Sequence, residues 1–189
     1  MKKDVPHTIY GLGHHPVLAF HGYGMDGNQF RVLEKSLCAS YRIFGFHMPF
    51  HKYGPGNGEF WIDDLIESIK TMFPKSTDRF SLMGYSLGSK VALRLLQVFP
   101  SRVSQLYLFA PYGLESNWVL DFVSKGWGNR LFKRIAKTQW PIRIVKVAHS
   151  LNIINTELRV ITLTEMKSQS HRLNLCHSLE MIGQIKFGE

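Results

Sequence analysis

Short apolar runs alternate with amphipathic stretches along the first two-thirds of the chain. Apolar runs of about four to eight residues bounded by Gly, Pro or Asp are typical of buried strands. The predicted strands cover residues 16–20, 41–46, 80–83 and 103–110. Stretches long enough for helices separate these strands, so the pattern predicts βαβ units and a parallel, twisted sheet flanked by helices.

Helical spacing of the apolar residues marks the stretches between the strands. Asp26 and Gln29 resemble a capping box, which predicts that a helix begins there. An apolar stripe predicts a second helix over residues 59–73, and a third is expected after Gly88. Each of these helices has one apolar face that could cover the sheet.

The alternation of predicted strands and helices ends after Gly113. From there, one helical pattern follows another and no further βαβ unit is clear. Residues 127–137 and 142–149 are among the helices expected there. We therefore predict an α/β part at residues 1–113 and a helical part at residues 114–189.

Composition excludes several classes of protein. The 189 residues are 44% apolar and 13% aromatic, which is enough to form a core and excludes dominant disorder. No apolar run approaches the roughly 18 residues of a membrane span, and no apolar segment follows the charged N-terminus as in a secretory signal. Cys38 and Cys176 have neither CxxC spacing nor the density of a disulfide framework, so we expect a reducing, cytoplasmic location.

The net charge of +9 raises the question of an anionic partner. The local excess of cations is spaced along expected amphipathic helices, at Lys125, Arg130, Lys133, Arg134, Lys137, Arg143 and Lys146. This spacing favours a solvated helical face first, attraction of an anionic substrate or a membrane surface second, and specific nucleic-acid binding last. We therefore expect no nucleic-acid partner.

A G-x-S-x-G motif, Gly84-Tyr85-Ser86-Leu87-Gly88, lies between a predicted strand and a predicted helix. A nucleophilic serine needs this sharp strand-to-helix turn to expose its hydroxyl at the carboxyl end of a sheet. The turn brings backbone segments together, so the flanking positions must be small. The helix N-terminus then favours negative charge that develops at the site. Ser86 is thus the candidate nucleophile.

His21-Gly22-Tyr23-Gly24 ends an earlier predicted strand and supplies the second part of the candidate site. Acyl transfer needs two backbone N–H groups that point at the oxyanion. Leu87, which follows the nucleophile, and Tyr23 are the expected donors, with Gly22 in the same binding loop. His21 is expected to hold this loop in place rather than to act as the base.

These two motifs give the sequence a resemblance to the α/β-hydrolase superfamily, in particular to its cap-bearing serine hydrolases. The resemblance covers about residues 7–113 and implies that residues 114–189 form a helical cap. The family commonly has Asp where this chain has His47. The implied reaction is hydrolysis of an ester, thioester or amide of a small acyl substrate. Trp118, Trp127 and Trp140 in the cap suggest a partly apolar acyl group.

The catalytic acid and histidine are where the sequence departs from the family. The family order is Ser, then Asp or Glu, then His, and nothing after Leu114 resembles those later strand ends. One hypothesis is that the chain is a fragment whose last core strands, acid and His lie beyond residue 189. A second is a non-hydrolytic ligand-binding or interaction module. A third is an active enzyme that recruits His149, His171 or His177, with Asp121, Glu157 and Glu165 as available acids.

Spacing of the other chemical groups points to no metal and no cofactor. The histidines, including the pair His171 and His177, do not match a known metal-binding spacing. If the later strands are absent, the strand at 103–110 would be an unpaired apolar edge, which predicts a homodimer or aggregation.

Overall fold

The structure is a computed structural model that describes residues 5–37, 39–54, 61–111 and 126–138, with residues 143, 146, 147, 149–151, 173, 174, 177, 178 and 180. The chain forms two compact units. One consists of Met1–Ser116 with Gln184–Glu189, and the other of Asn117–Gly183. Cys38, Cys176, Trp118 and Trp140 lie outside the described residues.

The first unit is built around a five-stranded sheet. Its strands are β1 (His7–Tyr10), β2 (His15–Phe20), β3 (Tyr41–Phe46), β4 (Phe80–Tyr85) and β5 (Val103–Phe109). They are arranged in the order β1-β3-β2-β4-β5, and all pairs are parallel except β1 with β3. The predicted α/β-hydrolase-type sheet is confirmed, and β1 adds an antiparallel strand that the apolar pattern did not predict.

Helices follow β2, β3 and β4 as expected. A 3₁₀-helix at Gly27–Leu33 leads into α1 (Glu34–Leu37), α2 (Trp61–Met72) follows β3, and α3 (Gly88–Val98) follows β4. The described part of the second unit includes α4 (Gly126–Ala136). No helix among the described residues is long and apolar enough to cross a membrane.

The segment after Asp26 differs from the capping-box prediction. The Asp26 side chain does accept a hydrogen bond from the Asn28 N–H, at 2.7 Å, but the helix that follows is 3₁₀ in type. Gln29 does not reach back to Asp26, because its side chain bonds the backbone of Gly22 instead. The close approach of Gly27 to Gly45, where an added Cβ would lie 2.1 Å from the Gly45 carbonyl oxygen, packs this helix directly on β3.

The core lies on the three inner strands of the sheet, β3, β2 and β4. Leu18 and Phe20 of β2 and Leu82 of β4 are fully buried, as expected where helices cover both faces of a parallel sheet. Phe20 stacks on Phe46 of β3, with ring centroids 5.4 Å apart. Leu95 of α3 is fully buried as well, so the helix that begins beside the candidate nucleophile is anchored in the core.

Candidate active site

Ser86 lies on the turn between β4 and α3 with φ of +47°. A non-glycine residue rarely has a positive φ, and such conformations cluster at functional sites where the surrounding structure enforces them. The Ser86 N–H donates to the Phe109 carbonyl at the end of β5, at 2.9 Å, and the Ser86 carbonyl accepts from the Ser89 N–H at 3.0 Å. Both sides of the turn are therefore fixed by the backbone.

The two glycines of the motif allow close backbone contact. A Cβ on Gly84 would lie 2.5 Å from Ser89 Cα, and a Cβ on Gly88 would lie 2.1 Å from the Phe20 carbonyl oxygen. Real Cβ atoms essentially never approach backbone atoms this closely. The expectation that both flanking positions must be small is confirmed.

The loop after β2 lies directly against the turn that carries Ser86. A Cβ on Gly22 would lie 2.7 Å from Tyr85 Cδ1 and 3.5 Å from Ser86 Cβ. The Gly22 N–H donates to Gln29 Oε1 at 3.1 Å, so this N–H is already bonded within the loop. The structure therefore brings the two predicted motifs together, with Gly22 at their contact.

Leu87 is buried and directly precedes the first residue of α3. The first N–H groups of a helix have no partner within it, and the helix dipole makes this end partly positive. The first turn of α3 has no acidic residue that would offset this potential. An oxyanion beside Ser86 would meet a favourable field here.

His21 is fully buried, and its two ring nitrogens join the loop after β2 to the segment after β3. Its Nδ1–H donates to the Gly22 carbonyl at 2.8 Å, and its Nε2 accepts the Met48 N–H at 3.0 Å. Burial lowers the pKa of His21 to about 3, so the ring is neutral at ordinary pH. The prediction that His21 ties the loop in place is confirmed.

His47 and His51 extend this group of rings. His47 Nδ1 accepts the Gly27 N–H at 3.1 Å, a bond that a carboxylate could also accept, while its Nε2 lies 3.0 Å from Thr8 Oγ1. His51 Nδ1 donates to the Pro49 carbonyl at 2.8 Å, and its ring meets that of His21 edge-on at 4.8 Å. Burial is the main cause that lowers the pKa of both rings.

Within the described part of the first unit, no histidine or carboxylate is hydrogen-bonded to the Ser86 hydroxyl. His149 and His177 belong to the second unit, and burial, followed by the charge of Lys133, lowers the pKa of His177. His171 and the acids Asp121, Glu157 and Glu165 lie outside the described residues. The described histidines and acids contain no group of three that could hold a metal ion.

Two contributors to the site were missed by reasoning from the sequence. Gln29 holds the Gly22 N–H, and the Phe109 carbonyl holds the Ser86 N–H. Gln29 also matched the pattern of a capping box, so nothing in the sequence indicated that its side chain would bond the Gly22 N–H. The bond to Phe109 depends on β5 pairing with β4, and the sequence pattern did not predict which strands are neighbours.

Comparison with known proteins places this chain in a family. The sequence model of the α/β hydrolase fold family matches residues 15–139, which is more than half of the chain. The chain belongs to this family.

Its curated relatives include esterases and hydrolases. The chain is 29% identical to the pimeloyl-acyl-carrier-protein methyl ester esterase of Nitrosomonas europaea, over 57% of this chain and 46% of the relative. It is 32% identical to an uncharacterized hydrolase of Saccharomyces cerevisiae, over 49% of this chain and 33% of the relative. The chain thus spans less than half the length of these relatives.

Solved structures agree on the fold. A probable hydrolytic enzyme from Pseudomonas aeruginosa PAO1 superposes with a TM-score of 0.64 at 16% identity, covering 94% of this chain and 62% of the other. A thermophilic esterase from Thermogutta terrifontis gives a TM-score of 0.62 at 18% identity, covering 94% of this chain and 66% of the other. At these identities the likeness concerns the fold.

Proposed function

We propose that this chain carries the nucleophile and oxyanion-binding part of a serine hydrolase site that cleaves an ester, thioester or amide. The observation that carries the proposal is the positive φ of Ser86, on a turn between β4 and α3 that touches the Gly22 loop. Strain of this kind at a half-buried serine has a function in a nucleophile and none in an ordinary β-to-α turn. The methyl ester esterases among the relatives favour an ester.

In the proposed reaction, Ser86 Oγ attacks the acyl carbonyl carbon while its proton passes to a general base. The carbonyl oxygen becomes an oxyanion, which the backbone N–H groups of Leu87 and Tyr23 stabilise. Collapse of this intermediate returns the proton to the leaving alkoxide, thiolate or amine and leaves the acyl group on Ser86 Oγ. Water then hydrolyses this acyl-serine by the same steps and restores the hydroxyl.

The hypotheses differ in the source of the general base that accepts the proton of Ser86. If an acid and a histidine outside these 189 residues supply it, this chain alone should have only trace activity. His149, His171 or His177 would serve if the chain is active by itself. The alternative function is a non-hydrolytic ligand-binding or interaction module.

The proposal extends to the substrate, the cofactor requirement, the role of residues 114–189 and the location of the protein. The substrate is a small acyl compound, and no cofactor takes part in the reaction. We propose residues 114–189 as the helical cap that the family resemblance implies. The two cysteines, without a pairing pattern, support a reducing cytoplasmic location.

Acylation by activated p-nitrophenyl esters tests the proposal. The wild-type chain and Ser89→Ala should gain one acyl group by intact-protein mass, whereas Ser86→Ala should gain none. Ser89 is a matched control because it lies three residues further on and its buried hydroxyl has no partner among the described residues. Turnover should stay within about 10³–10⁴-fold of the rate in water, the residual catalysis expected without a base.

The alternatives predict other results in the same assay. Turnover at ordinary enzyme rates would place the base within this chain, and single substitutions of His149, His171 and His177 would identify it. Binding of the ester without acylation of Ser86 would favour the ligand-binding module and contradict the proposed nucleophile.

A further inference from the structure

Helix α4 presents an apolar stripe to solvent. Trp127, Leu131 and Ile135 follow one another at intervals of four residues, which places them on one face of the helix. Their exposed fractions are 64%, 41% and 36%. The opposite face is covered, since Asn129 and Ala136 are buried. The helix therefore has a packed side and a second, exposed apolar side.

Cations lie beside this stripe. Arg130, Arg134 and Lys137 are exposed, and at 3.6 residues per turn they fall next to the apolar face on one side. Lys133 is engaged elsewhere, in an ion pair of 2.5 Å with Glu180. Residues 126–138 contain no Asp or Glu, so nothing within the segment offsets these charges.

The same combination recurs later in the second unit. Val147 and Leu151, again four residues apart, are 55% and 64% exposed. Arg143 and Lys146 are exposed beside them in the sequence. Two segments of one unit thus join exposed apolar side chains to exposed cations.

Exposed apolar side chains next to exposed cations favour one kind of partner. A nucleic acid would use the cations but would leave the aliphatic residues in water. An anionic bilayer uses both, because Trp and aliphatic side chains enter the boundary of headgroups and acyl chains while Arg and Lys bind lipid phosphates. We propose that the face formed by Trp127, Leu131, Ile135, Arg130 and Arg134 binds the surface of an anionic lipid bilayer. This inference goes beyond the proposed hydrolase chemistry and does not depend on Ser86.

Flotation of the full chain with lipid vesicles tests this proposal. The chain should float with vesicles of phosphatidylcholine mixed with phosphatidylglycerol, and it should float little with phosphatidylcholine alone. Raising the salt concentration should weaken the binding steeply, because surface charges are screened. Each cation removed should weaken binding about fivefold at low salt.

Variants separate the two contributions. Arg130→Glu with Arg134→Glu should abolish flotation, and Trp127→Ala with Leu131→Ala should reduce it about tenfold or more, from the apolar area withdrawn from water. The matched controls are Lys35→Glu and Leu12→Ala, which change an exposed cation and an exposed apolar residue of the first unit. Circular dichroism checks that each variant is folded.

Three results would overturn the inference. One is equal binding to neutral and anionic vesicles, and another is flotation of the charge-reversal variant at the wild-type level. The third is binding that needs the cations but is unchanged by Trp127→Ala with Leu131→Ala, which would point to an acidic protein as the partner instead.

Discussion

The backbone of Ser86 adopts a conformation that costs free energy for any residue with a Cβ. Its φ of +47° is retained because bonds to Phe109 and Ser89 hold the turn from both sides. The G-x-S-x-G motif alone predicted this sharp strand-to-helix turn. Its five residues are contiguous, and the steric requirement for glycine at positions 84 and 88 is local.

Glycine at position 86 should relieve this strain. We expect Ser86→Gly to have a free energy of unfolding about 1 kcal/mol higher than Ser86→Ala, because Ala keeps the Cβ in the left-handed region. Both variants lack the hydroxyl, so any difference between them reports the backbone alone. Equal stability of the two in urea unfolding would show that the turn is not strained.

The neutral, buried state of His21 makes stability depend on pH. Burial lowers the pKa of His21 from 6.5 to about 3, so between these values the unfolded chain binds a proton that the folded chain does not. The free energy of unfolding should therefore be highest above pH 6.5 and fall as the pH drops toward 3. The slope should approach about 1.4 kcal/mol per pH unit for this one group.

Urea unfolding at a series of pH values measures this slope. His47 and His51, whose pKa values burial also lowers, should make the wild-type slope steeper. His21→Gln should flatten it, while His14→Gln, at an exposed position, should leave it unchanged. A wild-type stability that is constant from pH 6.5 to pH 4 would contradict the account of His21.

At the scale of elements, the long periodic segments were predictable and the short ones were not. The apolar pattern located β2 to β5, α2 and α3 to within a few residues. It missed β1, because His7–Tyr10 is four residues long and only Tyr10 in it is buried. It also missed that the segment after Asp26 is a 3₁₀-helix, which meets β3 through the contact of Gly27 with Gly45, eighteen residues apart.

Strand β5 has a partner on one side within the described sheet, where it pairs with β4. An exposed edge of this kind favours pairing with a second copy. Sedimentation velocity should thus show a concentration-dependent dimer of this chain. Ser104→Lys, a charge on the exposed edge, should shift the equilibrium toward monomer, and Ser76→Lys, on an exposed loop, should not. A single monomeric species from micromolar to millimolar concentration would rule out edge pairing.

At the scale of the whole molecule, the family could be inferred from the sequence while the complete catalytic set could not. Ser86, Leu87 and Tyr23 belong to two short motifs at strand ends, which the parallel sheet brings to one edge. A base and an acid come from distant parts of a chain, and no local pattern identifies them. This chain spans less than half the length of its first relatives, so the comparison does not supply them either.

The position at which a fluorophosphonate attaches to the protein tests most directly whether Ser86 is the nucleophile. Peptide mass spectrometry after labelling should find the adduct on Ser86, formed slowly in the 189-residue chain and abolished by Ser86→Ala. A longer protein that adds an acid and a histidine should label at the same residue and much faster. An adduct on another serine, or unchanged labelling of Ser86→Ala, would contradict the assignment of Ser86 as the nucleophile.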